Sequence, residues 1–110
     1  MMRLLTKDEL VEHDVYEFCY AKNHFEFWNE DSSYLSDADF QKLVPFLNQV
    51  FSMYHYYGPQ KVSLLEWGRV KETALNGKNK NHMLINFFDE IDEWIKKDNS
   101  NVNYFWIYGV

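Results

Sequence analysis

The residues that could do chemistry are few and scattered. Four histidines, His13, His24, His55 and His82, never fall three to five positions apart, and Cys19 is the lone thiol. A zinc site draws on His and Cys at short spacings, because neighbouring ligands must reach one ion. No such spacing occurs, so the sequence predicts no metal site and no bound cofactor. Cys19 with His13 or His24 as base would make a thiol nucleophile, but a cysteine inside an alternating apolar stretch reads as a small core residue. Asp89-Glu90 and Asp92-Glu93 are interleaved with Phe88, Ile91 and Trp94. On a helix these acids spread over the solvent side, a face that could otherwise serve a divalent ion or a basic partner. Lys78 and Lys80 sit in an Asn-rich loop without the glycine cradle or helix start that holds phosphate. No residue is assigned a catalytic role, and the expectation is a binding protein rather than an enzyme.

Surface chemistry is the stronger signal. Acids are threaded between aromatics over the first third of the chain, with Glu12, Asp14, Glu17, Glu26, Glu30 and Asp31 among Tyr16, Tyr20, Phe27, Trp28 and Tyr34. Acids steer and orient a cationic partner, and aromatics supply the buried anchors of an interface. The expected contact set is Glu12, Asp14, Glu17, Tyr20, Glu26, Trp28, Glu30, Asp31 and Tyr34. The competing reading is a solvated acidic segment whose aromatics all turn inward. The net charge of −6 is unevenly spread. Residues 1–40 hold ten acids and three bases, residues 41–88 two acids and six bases, and residues 89–110 five acids and two bases. An acidic first third repels phosphate, which argues against nucleic acid as a direct ligand and for a basic protein partner. Four Trp, eight Tyr and nine Phe are more aromatics than a small core easily hides. A second reading is therefore a small-molecule or regulatory module with an aromatic pocket near Trp67, Trp94 and Trp106. A third, an enzyme built from scattered His and carboxylates, has no support in the spacing.

These residues need a scaffold, and 110 residues suffice for one domain, 1–110, burying about two-thirds of the surface its unfolded chain exposes. The central stretch is Ser36 to Tyr57. Phe40, Leu43, Val44, Leu47, Val50, Phe51 and Tyr54 recur in steps of three and four, one apolar stripe of a helix. Ser36 caps it, Asp39 completes a capping box, Leu35 and Phe40 form the staple, and Gly58-Pro59 ends it. Pro45 interrupts the pattern without shifting its phase, so the helix is expected to continue with a kink. The same start device recurs at Thr6/Glu9, opening a short helix from Lys7 to about His13, and at Ser63/Glu66, opening a helix to Leu75. A last helix starts near Asn81, buries Leu84, Phe88, Ile91 and Ile95, and carries i,i+4 pairs Asp92–Lys96 and Glu93–Lys97. Residues 15–28 alternate aromatic and non-aromatic positions and read as a β-hairpin, against a competing long helix through Val11, Val15, Phe18 and Phe25. Residues 102–108 are apolar on both faces, the pattern of a covered strand, and the 15–28 hairpin is its expected partner. The fold class is α+β: three to four helices packed on a small antiparallel sheet made of the 15–28 hairpin and strand 102–108. The alternative is mainly α.

One cysteine excludes an internal disulfide and suits a reducing compartment. Met1-Met2-Arg3-Leu4-Leu5 is too short for a leader's apolar region, and no stretch is long enough to span a bilayer. The expected location is the cytoplasm, with no membrane partner. The chain length, the absence of a catalytic motif, the acidic aromatic-rich surface and the aromatic segment Tyr104-Phe105-Trp106-Ile107-Tyr108-Gly109-Val110 together resemble bacterial immunity proteins of the polymorphic-toxin and contact-dependent growth inhibition systems. That resemblance implies a protein that binds one cognate toxin domain, often a basic nuclease, and blocks its active site or substrate path. Acids would stand in for nucleic-acid phosphate. It transfers no individual site residue, because those families differ in fold. A homodimer is compatible with every reading, since excess aromatics can pair across a two-fold axis.

Overall fold

A computed structural model describes residues 4–10, 14–23, 28–51, 60–76, 82–98 and 103–109. Among them are four strands, β1 (Val15–Tyr20), β2 (Ser33–Ser36), β3 (Gln60–Ser63) and β4 (Tyr104–Gly109), and four helices, α1 (Asp37–Phe40), α2 (Val44–Val50), α3 (Leu64–Leu75) and α4 (His82–Lys96). The strands form one antiparallel sheet in the order β2-β1-β4-β3. The fold is α+β.

β1 and β4 form the middle of the sheet, which explains their sequences. All six residues of β1 are buried, because a central strand covered on both faces needs apolar groups on each side. Tyr16, Phe18 and Tyr20 face the helices, in register with Gly109, Ile107 and Phe105 of β4. Val15, Glu17 and Cys19 face the other way. On the helix side Phe18 meets Trp67 edge-on at 6.0 Å, and Trp67 meets Phe105 at 5.5 Å. These are the T-shaped arrangements that aromatic quadrupoles favour. Tyr16 stacks on Phe40 at 3.7 Å and Tyr20 on Trp94 at 4.3 Å.

Several expectations change. The strand paired with β1 is Ser33–Ser36, with Glu17 opposite Tyr34 and Tyr16 opposite Leu35. The expected return arm at Phe25 and Phe27 lies outside the described residues, and β1 is followed by a 3-10 turn, Ala21–Asn23. The long helix alternative fails for residues 15–20, which are strand. β3 was unexpected, because Val62 and Ser63 read as the approach to a helix; they are both the end of a strand and the cap of α3.

The central helix does not run through Pro45. It splits into α1, a turn over residues 41–43, and α2, with Pro45 in the first turn of α2. A proline has no N–H and its ring crowds the carbonyl four residues back, costs that vanish when it sits in a first turn. The stripe still buries Phe40, Leu43, Leu47 and Phe51; Tyr54 and the Gly58-Pro59 stop lie outside the described residues. Ser36 Oγ accepts from Asp39 N–H at 3.2 Å, while the Asp39 carboxylate reaches Lys42 at 3.2 Å.

α3 spans the expected residues. Ser63 N–H donates to the Glu66 carboxylate at 2.9 Å and Glu66 N–H to Ser63 Oγ at 3.0 Å, a closed capping box. On the edge strand β3, Lys61 C=O accepts from Gln60 Nε2 at 2.8 Å. With Ser63 N–H held by Glu66, that edge offers little to another strand. The Thr6/Glu9 box opens a single 3-10 turn, Lys7–Glu9, rather than a helix to His13, and residues 11–13 lie outside the described residues.

α4 buries Leu84, Phe87, Phe88, Ile91 and Trp94. Trp94, outside the expected stripe, is 7 % exposed, and Ile95 is only half-buried. Asp92 pairs with Lys71 of α3 at 2.6 Å instead of Lys96, and Lys96 lies 3.8 Å from Glu93. Leu84, Phe88 and Ile91 of the expected stripe stay buried, and the buried face widens to take Phe87 and Trp94.

Candidate functional site

The alternation of β1 sets Glu17 on the face away from the helices, between Tyr34 of β2 and Tyr108 of β4 in register. It is 0 % exposed, and among the described residues it pairs with no cation. Four donors from one loop stand in its place. Trp28 N–H donates to Oε1 at 2.8 Å. Oε2 accepts from Asn29 N–H at 3.2 Å, Asn29 Nδ2 at 3.0 Å and Ser32 Oγ at 2.6 Å. Two backbone amides, one side-chain amide and one hydroxyl thus meet its two acceptor oxygens. Hydrogen bonding of this density offsets the cost of burying an unpaired charge.

All four donors come from loop 28–32. Trp28 holds φ 63°, the left-handed region, which costs a residue with a β-carbon on the order of 1–3 kcal/mol. The loop has further tethers. Tyr34 Oη donates to Asn29 C=O at 2.7 Å, Trp94 Nε1 to Asp31 C=O at 2.9 Å, and Asn23 Nδ2 to Asp31 Oδ1 at 2.6 Å. Lys22 Nζ lies 3.2 Å from Asp31 at an exposed pair. The Trp28 ring is parallel to Tyr34 at 6.1 Å. The outer face of this fixed loop presents Glu30 and Asp31 to solvent, with Trp28 half-buried beside them.

The other groups around Glu17 are kept neutral. Burial pushes the Cys19 thiol up, aided by the charges of Glu17 and Asp31 and opposed by hydrogen bonds to Tyr108 and Ser32. Burial, then the charge of Glu17, raises Tyr34. Burial, then Cys19 and Glu17, raises Tyr108. A buried, protonated thiol is in the wrong state to attack an electrophile. The arrangement organises backbone around one charge; it does not activate a nucleophile.

The nine residues expected at a contact surface are therefore divided. Glu17, Tyr20 and Tyr34 are buried and hold internal partners, so they cannot touch a partner in this fold. Tyr20 lies on the helix side, its hydroxyl donating to Trp94 C=O at 2.5 Å. Glu30, Asp31 and Trp28 come together on the loop. Asp14 is exposed at the start of β1, its C=O accepting from Asp37 N–H at 2.9 Å. It borders a cleft of about 500 Å³ that Leu5, Leu10, Val15 and Asp37 also line. Glu12 and Glu26 lie outside the described residues. Asn29, Ser32 and Tyr108, which complete the Glu17 cluster, were not singled out. The available signal was an acid on a strand apolar on both faces.

The three tryptophans do not share a pocket. Trp67 and Trp94 belong to the helix-side core, whereas Trp106, opposite Cys19, is on the other face of the sheet. His82 is exposed at the start of α4; His13, His24, His55, Lys78 and Lys80 lie outside the described residues. Among the described residues no group of three or more His, Cys, Asp or Glu could hold a metal ion, and no helix is long and apolar enough to cross a membrane. No protein-family model, no curated protein and no solved structure matches this chain.

Proposed function

We infer that this chain is a protein-binding module, an immunity protein that neutralises a cognate bacterial toxin domain in the cytoplasm. The observation that supports this reading is loop 28–32, tied down from beneath by a buried carboxylate and turning Glu30, Asp31 and the edge of Trp28 outward. A loop ordered before binding loses little entropy on association. Its acids would meet the cationic groove of a basic toxin such as a nuclease, where substrate phosphate would otherwise lie, and Trp28 would anchor the contact. Asp31 is partly satisfied by Lys22 and Asn23, so Glu30 is the residue whose charge a partner would read.

The test is affinity capture from the cells that make the protein, with wild type and Glu30→Lys in parallel at low and high salt. The expected result is a basic protein recovered in near-stoichiometric amount by wild type, lost as salt screens the charges, and recovered several-fold less by the variant. A partner held equally well by both forms at both salt concentrations, or recovery of this chain alone, rejects the reading.

A further inference from the structure

We propose that Glu17 is the positioning residue of loop 28–32: its carboxylate sets the loop's backbone, and with it the arrangement of Trp28, Glu30 and Asp31 that a partner meets. The part concerning a partner rests on the binding reading above. The conformational part does not.

Two of the four donors to Glu17 are main-chain N–H groups of consecutive residues, Trp28 and Asn29. An acceptor that captures two successive amides fixes backbone torsions as well as side chains. Successive N–H groups converging on one anion form a nest, and a left-handed residue belongs to that geometry. Trp28 supplies it without the conformational freedom of glycine, so something must hold it there. The other tethers do not. Tyr34 Oη and Trp94 Nε1 grip the carbonyls of Asn29 and Asp31, not the two amides. Cys19, Tyr34 and Tyr108 stay protonated beside Glu17, so none replaces it as an anionic acceptor.

Glutamine at position 17 keeps the volume and removes half of the acceptor. Its NH2 must face either the Trp28 amide or the two Asn29 donors at Oε2, a donor against donors in either orientation. The core beneath is unchanged.

Hydrogen exchange on the free protein, residue by residue, separates the outcomes. In Glu17→Gln the Trp28 and Asn29 amides are expected to exchange about tenfold faster or more, with Val70 in α3 and Ile107 in β4 unchanged. Ser32→Ala, which removes one donor and leaves the charge, is expected to accelerate the same two amides by a smaller factor. Unchanged exchange at Trp28 and Asn29 in a folded Glu17→Gln overturns the proposal. Equal acceleration at Trp28, Asn29 and Ile107 also overturns it, because Glu17 would then act on global stability alone. Should Glu17→Gln not fold, Ser32→Ala decides: acceleration confined to the loop supports the proposal, and none overturns it. Since no partner enters the experiment, its failure leaves the binding reading standing, and a failed capture leaves the clamp standing.

Discussion

Trp94 offers the sharpest check on the packing, because the expected apolar stripe of α4 omits it and the structure places it in the core. Two variants take its contributions apart. Trp94→Ala removes the indole, which stacks on Tyr20 at 4.3 Å and meets Phe105 edge-on at 5.6 Å. Taking roughly 200 Å² of aromatic surface out of the core costs about 4 kcal/mol. Trp94→Phe keeps a ring on Tyr20 but loses the Nε1–H bond to Asp31 C=O. One neutral hydrogen bond is about 1 kcal/mol and the smaller ring about 1 more, so the expected loss is about 2 kcal/mol. In urea, with a slope of about 1.5 kcal/mol/M, the midpoints fall by roughly 2.7 M and 1.3 M. A surface tryptophan would move stability by no more than about 0.5 kcal/mol in either variant. Midpoints within that margin of wild type for both variants would refute the placement of α4. Equal losses in both would refute the separation of stack from hydrogen bond.

Two further perturbations follow from the same geometry. Glu66→Ala opens the capping box of α3 and is expected to cost about 1 kcal/mol, read as a drop of several degrees in Tm by calorimetry; an unchanged Tm would mean the cap contributes nothing. Burial, then the charges of Asp31 and Asp98, pushes Tyr20 up to about 12. The folded state therefore holds this proton after the unfolded chain, with its ordinary value near 10, has released it. Stability from this group is complete below pH 10 and falls as pH rises from 10 through about 12. Denaturation midpoints across that window check the sign, and Tyr20→Phe should make the fall shallower, leaving the part that Tyr34 and Tyr108, also raised by burial, contribute.

Local signals in the sequence carried the parts of this fold that local rules build. The Ser63/Glu66 box and the helix it opens are read from a few neighbouring residues, and the alternation of β1 puts Glu17 and Cys19 on one face and the aromatics on the other. What escaped depends on distant partners. Tyr34 and Leu35 are too short a run to declare a strand, and only β1 makes them one. Glu17 looks like a surface acid because a carboxylate's ordinary place is water; the donors that allow it inside lie 11 to 15 residues later. The stripe Leu84, Phe88, Ile91 and Ile95 is narrower than the buried face of α4, which takes Phe87 and Trp94 as well.

The strand order has a consequence for how the protein is made. β4 is the latest of the four strands in sequence and lies between β1 and β3. While the chain leaves the ribosome, β1 and β2 can meet, but β3 has no strand to join and the helix-side face of β1 lacks Phe105 and Ile107. The sheet is completed from its middle, by the piece that arrives last. Pairings this remote in sequence close slowly, and until they close the unpaired flanks of β1 and β3 are exposed to other nascent chains. A stall or early stop before Tyr104 would therefore leave two unconnected fragments of sheet and not a smaller version of the fold.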